Sequence, residues 1–161
     1  MDVKQVIVKS VLDAWNSRIE AAGKIFDSLT DDDLQKEVSP GRNRAIYLLG
    51  HLALVHDKML PLLDFGPQHY AHLEEAFLNK PDKAVPEIPT AKELREIWKD
   101  VNSKLASHYN KLSADEWFKR HTSVSEEDFI KEPHRNRLNV VIGRTNHLQY
   151  HIGQVALIKK S

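Results

Sequence analysis

Two stretches of this chain carry side chains able to hold an ion or move a proton: "GHLALVHD" at residues 50–57 and "NHLQYHIGQVALIKK" at residues 146–160. The second sets His147 and His151 four apart in a helical pattern, about 40° apart in azimuth and about 6 Å along the axis, so both rings can reach one ion. Their stripe runs through Val140, Val141, Arg144, Val155 and Ile158 and so mostly faces a core. Neutral imidazole is a common ligand for zinc, nickel or iron, and burying two imidazoles without partners costs stability. Spacing alone fits packed or surface histidines equally well, and two ligands do not make a tight site. The first stretch offers His51 and His56 among apolar residues, where a lone histidine is ordinarily a core group bonded to a carbonyl. Depth separates them mildly. His51 lies about 12 Å inside the start of its helix and His151 about nine residues from the end of its own, depths that agree if the two helices are antiparallel. His56 is the reserve ligand.

Composition narrows the chemistry. The chain has no cysteine, which removes disulfides, thiolate ligands and a cysteine nucleophile together, so a metal site must use His, Asp or Glu. Lys plus Arg and Asp plus Glu both number 23, whereas a protein that neutralises many phosphates carries a basic excess, so nucleic acid is not an expected partner. Its 161 residues are the size of one domain, taken as 1–161. Charges are scattered through the N-terminal segment and no stretch approaches about 18 uncharged apolar residues. Neither a signal peptide nor a membrane span is expected, and the default is a cytoplasmic protein.

The elements that must position these residues are helices. Val8, Val11, Leu12, Trp15, Ile19, Ala22, Phe26 and Leu29 recur at three and four, predicting a long helix from Val3 to about Leu29. "LTDDDL" supplies Thr30 as a fresh N-cap, and its three aspartates read as a helix start rather than a metal cluster. Pro40 and Gly41 break the chain, and a second helix is predicted from about Asn43 to Leu63, apolar nearly all round. Residues 64–89 hold five helix breakers and read as one crossover in which only "HYAHLEEAFLN" can be helical. Capping boxes at Thr90 and Ser113 predict a third long helix from Ala91 to about Leu112 and a short one carrying Trp117 and Phe118. After an irregular stretch that includes "SEEDF", a fourth long helix is predicted from near Asn136 to about Lys159. There is no strand-like alternation, internal repeat or low-complexity segment. The expected fold is all-α, a four-helix bundle. The crossover between helices 2 and 3 is long enough to leave them parallel, giving up-down-down-up order with helices 2 and 4 antiparallel.

With these elements in place, "GHLALVHD" and "NHLQYHIGQVALI" resemble the two signatures of the DinB/YfiT-like superfamily. In that family a histidine of the second helix, preceded by a small residue, joins an H-x-x-x-H-x-G-Q pair late in the last long helix. The resemblance spans the chain in helix lengths and in the long crossover, though its sequence-specific part is those two stretches. It implies a bundle that is commonly dimeric and holds one divalent metal on three histidines, here His51, His147 and His151. Where many members have a further histidine before the last ligand, this chain has Tyr150. Imidazole coordination admits zinc or nickel first, then iron, cobalt or manganese.

Three neutral histidines leave a position on the ion open, as in catalytic zinc sites. Such an ion can polarise a carbonyl, lower the pKa of bound water or bind a thiol as thiolate. No Ser-His-Asp pattern is present, Asp57 falls on a different face from His51, and residues 138–161 contain no Asp or Glu. Relatives that use low-molecular-weight thiols make a thiol-dependent transferase acting on small electrophiles the leading expectation. A metal-dependent hydrolase on the same site is the alternative, and a non-catalytic metal-binding or stress-response dimer module is the rival of another class.

The remaining chemistry-bearing residues read as structural. His69, His72, His108, His121 and His134 lie among polar residues and are expected at the surface. Arg42, Arg44, Arg135 and Arg137 sit near helix starts and are read as solvated or interface groups rather than an anion site. Gly153 is expected to allow a close helix approach, and Gln154 to hydrogen-bond within the bundle or across a dimer. Trp15, Trp98 and Trp117 are expected to anchor a core or an interface.

Overall fold

The computed structural model describes residues 2–158, and among them the protein is all-α: eight α-helices, no strand, and only two isolated β-bridges. Helix α1 (Val3–Ser28) begins at a capping box in which Asp2 and Gln5 satisfy each other's backbone amides. The short α2 (Asp31–Leu34) is capped in the same way by Thr30 and Asp33, and all three "LTDDDL" aspartates lie in its first turn, where negative charge is favourable.

The predicted second helix is divided. Helix α3 (Ala45–Asp57) stops and a single turn, α4 (Met59–Leu62), follows. Pro61 is the cause, because it has no amide to give to Asp57 and its ring would press on that carbonyl. The crossover is then held by the freed end of α3. The fully buried Asp57 carboxylate accepts the backbone amides of His69 at 3.1 Å and Tyr70 at 2.8 Å. The helical part of the crossover is a 3₁₀ turn (Ala71–Leu73) and a π-helical turn (Glu75–Asn79).

Helix α5 (Ala91–Tyr109) starts at the Thr90 capping box, and α6 (Ala114–Trp117) at the one on Ser113. "SEEDF" is not irregular: Ser125 caps the short α7 (Glu126–Lys131). Helix α8 (Arg137–Val155) is capped by Asn136 and ends short of the predicted Lys159: residues 156–158 form a turn, and Lys159 lies outside the described residues.

The long helices close a ring of contacts: α1 against α8 and α5, α3 against α5 and α8. Arg95, at the start of α5, donates to the carbonyls of Phe26 and Leu29 at the end of α1. His56, late in α3, meets Asn102, just past the middle of α5. Arg137, at the start of α8, reaches Asp64, just beyond α4.

The apolar interior forms two clusters. One holds Phe26, Leu48, Leu52, Phe77, Trp98 and Leu148, the other Trp15, Met59, Leu105, Trp117 and Val141. All three tryptophans are buried in them, as core anchors. The helices that carry the site residues, α3 and α8, are reached by matching paths although the sequence has no repeat. Each follows a short capped helix and an antiparallel bridge, Glu37 with Arg44 and Arg120 with Asn136. The bridges close with Lys36 O accepting from Ala45 N at 3.1 Å and Lys119 O from Arg137 N at 2.9 Å, which pins the starting register of both helices.

Candidate metal centre

His51 from α3 and His147 and His151 from α8 come together, with one ligand atom of each within 4.8 Å of the others. All three rings are half-buried. The closest atoms are the Nε2 nitrogens: His147 to His51 at 3.3 Å and His147 to His151 at 3.1 Å. The other nitrogens are mostly taken. His51 Nδ1 donates to the carbonyl of Phe77 at 3.0 Å, and His151 Nδ1 donates to Gln154 Oε1 at 2.8 Å. His147 Nδ1 is buried without a partner.

Proton counting makes this arrangement a poor hydrogen-bonded cluster. With protons on Nδ1 of His51 and His151, their Nε2 atoms are lone pairs only. A neutral His147 carries a single proton and can serve one of the two short contacts, not both. Three convergent lone pairs fit a cation far better. Nitrogens at about 2.0–2.1 Å from a tetrahedral zinc stand about 3.3 Å apart, close to the separations observed. Burial lowers the pKa of all three imidazoles, that of His147 to about 4 with further lowering from His151, His51 and Arg144. Burial thus favours the neutral imidazoles, the state a metal requires.

The positions of the three rings have local causes. A Cβ on Gly50 would stand 2.3 Å from Phe77 Cε1, so only glycine lets the π-helical turn lie against α3 and offer its carbonyl to His51. Tyr47 lies nearly parallel to the His51 ring at 6.2 Å between centroids, and its hydroxyl donates to the Lys80 carbonyl. Gln154 orients His151 from one turn away, the same pattern of outer partner that fixes metal-bound histidines elsewhere.

Other expected positions resolve differently. The reserve ligand His56 is fully buried outside the group, with Nδ1 on Asn102 Oδ1 at 2.9 Å. Gly153 is exposed, and a Cβ there would meet nothing within 4 Å, so within the chain the close approach is made at Gly50. The pairing of glycine and histidine inside an apolar helix was the available signal. His69, His72 and His134 are exposed, but His108 and His121 are half-buried, the first stacked on Phe65 at 4.7 Å. Arg44 is bound to Asp82 at 2.7 Å, and Arg135 and Arg137 pair with Glu132 and Asp64.

The sequence model of the DinB superfamily matches residues 14–155, which takes in both histidine-bearing helices and the crossover. The chain belongs to the DinB superfamily. No curated protein matches it. As a DinB-superfamily chain it has the three-histidine group in a form that can hold a metal ion. No helix among the described residues is long and apolar enough to cross a membrane.

Proposed function

We propose that this protein is a divalent-metal-dependent enzyme whose ion is held by His51, His147 and His151, one per chain, and that it transfers a low-molecular-weight thiol to a small electrophile. The observation that carries the reading is the convergence of the three Nε2 atoms, with Nδ1 of two rings already committed to Phe77 and Gln154. Zinc and nickel suit the donor set first, with iron, cobalt and manganese admitted by it. When bound, such an ion supplies Lewis acidity and favours the deprotonated form of a ligand in its open position.

The protein's own part is to hold the rings neutral and oriented, and to leave proton removal to the ion. Among the described residues no carboxylate belongs to the histidine group, and residues 138–161 of the chain contain no Asp or Glu, so α8 offers no carboxylate base for activating water. A thiol, more acidic than water before it binds, loses its proton on the metal more readily than water does, and this is why transfer is put ahead of hydrolysis on the same site. The scaffold we propose is the four-helix bundle in up-down-down-up order. The end-to-end pairing of α1 with α5 and the meeting of α3 with α8 at the histidines support it. A homodimer through the α1 and α8 surface is also proposed, because Val6, Ile7 and Ile142 are exposed there beside a groove lined by Val11 and Ala14.

Metal analysis of protein purified without a nickel column tests the site: one ion per chain is expected, and none in His147→Ala. Undiminished metal in that variant overturns the assignment. A screen of thiol conjugation against ester and amide hydrolysis, with chelated protein as control, tests the chemistry. Activity indifferent to chelation overturns the metal-dependent reading, and no activity in metal-loaded protein leaves the non-catalytic dimer module as the better one.

A further inference from the structure

Arg144 is the exception among the half-buried arginines. Arg44, Arg95, Arg120, Arg135 and Arg137 all have carboxylate or carbonyl acceptors. Arg144, equally half-buried, has no hydrogen bond or ion pair among the described residues. Burial disfavours its charge, and no neighbouring carboxylate offsets that cost. Its side chain instead lines a cavity of about 380 Å³ together with Val55, Lys58, Thr122 and Ser123.

No carboxylate lines that cavity. Of its other polar groups, the Lys58 ammonium is shared with Glu74 at 3.0 Å, and the Thr122 hydroxyl donates to the Pro61 carbonyl at 3.1 Å. The cavity adjoins the histidine group on both helices. Val55 follows His51 by one turn of α3, and Arg144 precedes His147 by one turn of α8, a rise of about 5 Å. One turn of helix from His147, the Arg144 charge is felt at the histidine group. By the same Coulomb law it opposes a bound cation, so a guanidinium left unpaired here works against metal binding. An anion lodged between the two is attracted by both.

We propose that this cavity binds an anionic group of the substrate, with the Arg144 guanidinium as its principal partner and Lys58, Thr122 and Ser123 along its wall. The ligand class is a small oxyanion, a carboxylate or a phosphoryl group, since both match the planar fork of a guanidinium. Assigning that anion to the substrate rests on the metal-dependent activity proposed above, whereas the anion site itself does not. The electrophile is then a small acid whose charged group anchors beside Arg144 while its reactive atom lies toward the histidines. Arg144 is a specificity residue in this scheme.

Calorimetric titration of the full chain with succinate and, separately, inorganic phosphate tests the site in metal-stripped and metal-loaded protein. Binding is expected in both states, and the preferred probe identifies the oxyanion. Arg144→Gln should weaken it by about tenfold to a hundredfold, the value of a hydrogen bond to a charged group, with Arg144→Lys in between. Because the arginine has no partner to lose, Arg144→Gln should melt at or above the parent temperature and keep its metal. His147→Ala should lose metal yet still bind the probe when both proteins are compared metal-free, which separates failure of the anion site from failure of the metal site. No binding to metal-stripped protein, or equal binding by Arg144→Gln, overturns the proposal. With an active enzyme, Arg144→Gln should raise KM for acidic electrophiles and spare neutral ones; an equal rise for both also overturns it.

Discussion

His51 and His56 stand five residues apart on one helix, and the protein uses them in opposite ways. Both donate through Nδ1, His51 to the Phe77 carbonyl and His56 to Asn102 Oδ1, whose own amide nitrogen is turned to the Trp98 carbonyl. Both therefore present a bare Nε2. For His51 that atom meets the Nε2 of His147, and with His151 it completes a group a cation can fill. For His56 it has no partner, and the ring lies between Trp15 at 4.8 Å and Trp98 at 5.1 Å, where the two apolar clusters meet. The tautomer is common to both, so it does not distinguish a ligand from a core histidine. What distinguishes them is whether other lone pairs converge on the free nitrogen.

The comparison is broken most severely by removing the convergence. His147→Ala should take bound metal from one ion per chain to none, while His56→Gln, which keeps a donor toward Asn102, should retain it. Metal content after extensive dialysis checks both, and loss of metal from His56→Gln would mean that the two sites are not separate.

Acid should act on the buried member of the pair. Burial lowers the His56 pKa to about 3, from an unfolded value near 6.5. A lowered histidine pKa means that the unfolded chain takes up the proton first. The cost to the folded state is absent above about pH 6.5, grows by about 1.4 kcal/mol per pH unit below it, and stops growing near the folded pKa. Urea unfolding of metal-free protein at pH 7, 6 and 5 should show this slope in the parent and a shallower one in His56→Gln. Parallel slopes would place the acid sensitivity elsewhere.

Two smaller changes probe what holds the ligand rings. Gly50→Ala puts a methyl group 2.3 Å from the Phe77 ring, so the π-helical turn must shift and take its carbonyl from His51. Overpacking of this kind costs about 1–3 kcal/mol, and metal affinity should fall along with the melting temperature. Gln154→Ala removes the acceptor on His151 Nδ1 and, besides it, a long bond to the exposed Tyr150 hydroxyl. Loss of such an outer partner weakens metal binding by about tenfold to a hundredfold, and the melting temperature of the metal-free protein should barely move. A competition titration against a chelator separates these outcomes.

What could be read from the sequence follows the range of the interaction responsible. The long helices and the Thr30, Thr90 and Ser113 caps are local patterns, spelled within one or two turns, and they lie close to where they were expected. The pairing of His147 with His151 is local too. The meeting of these two with His51 needed the depth argument and the family resemblance, because it joins helices nearly a hundred residues apart. The break at Lys58 was legible in Pro61, but the apolar run around it masked the signal. The Phe77 carbonyl on His51 had no periodic signature at all. It depends on the path of an irregular crossover, fixed by Asp57 at one end and by the contact at Gly50 at the other. The unpaired state of Arg144 is likewise a property of what surrounds it in space, which a helical stripe cannot report.

The smallest expected effect is the one that contrasts the two glycines directly. Gly153 lies in α8 between His151 and Gln154, inside the family signature, yet it is exposed and a Cβ there would enter open space. A glycine inside a helix costs about 0.5–1 kcal/mol relative to alanine, through the freedom it gives the unfolded chain. Gly153→Ala should therefore raise the stability of the chain by that amount and leave metal affinity unchanged, the opposite of Gly50→Ala on both readouts. Should Gly153→Ala instead lower the melting temperature in a manner that depends on protein concentration, the open space beside it is filled by a second copy. The close approach then lies between chains rather than within one.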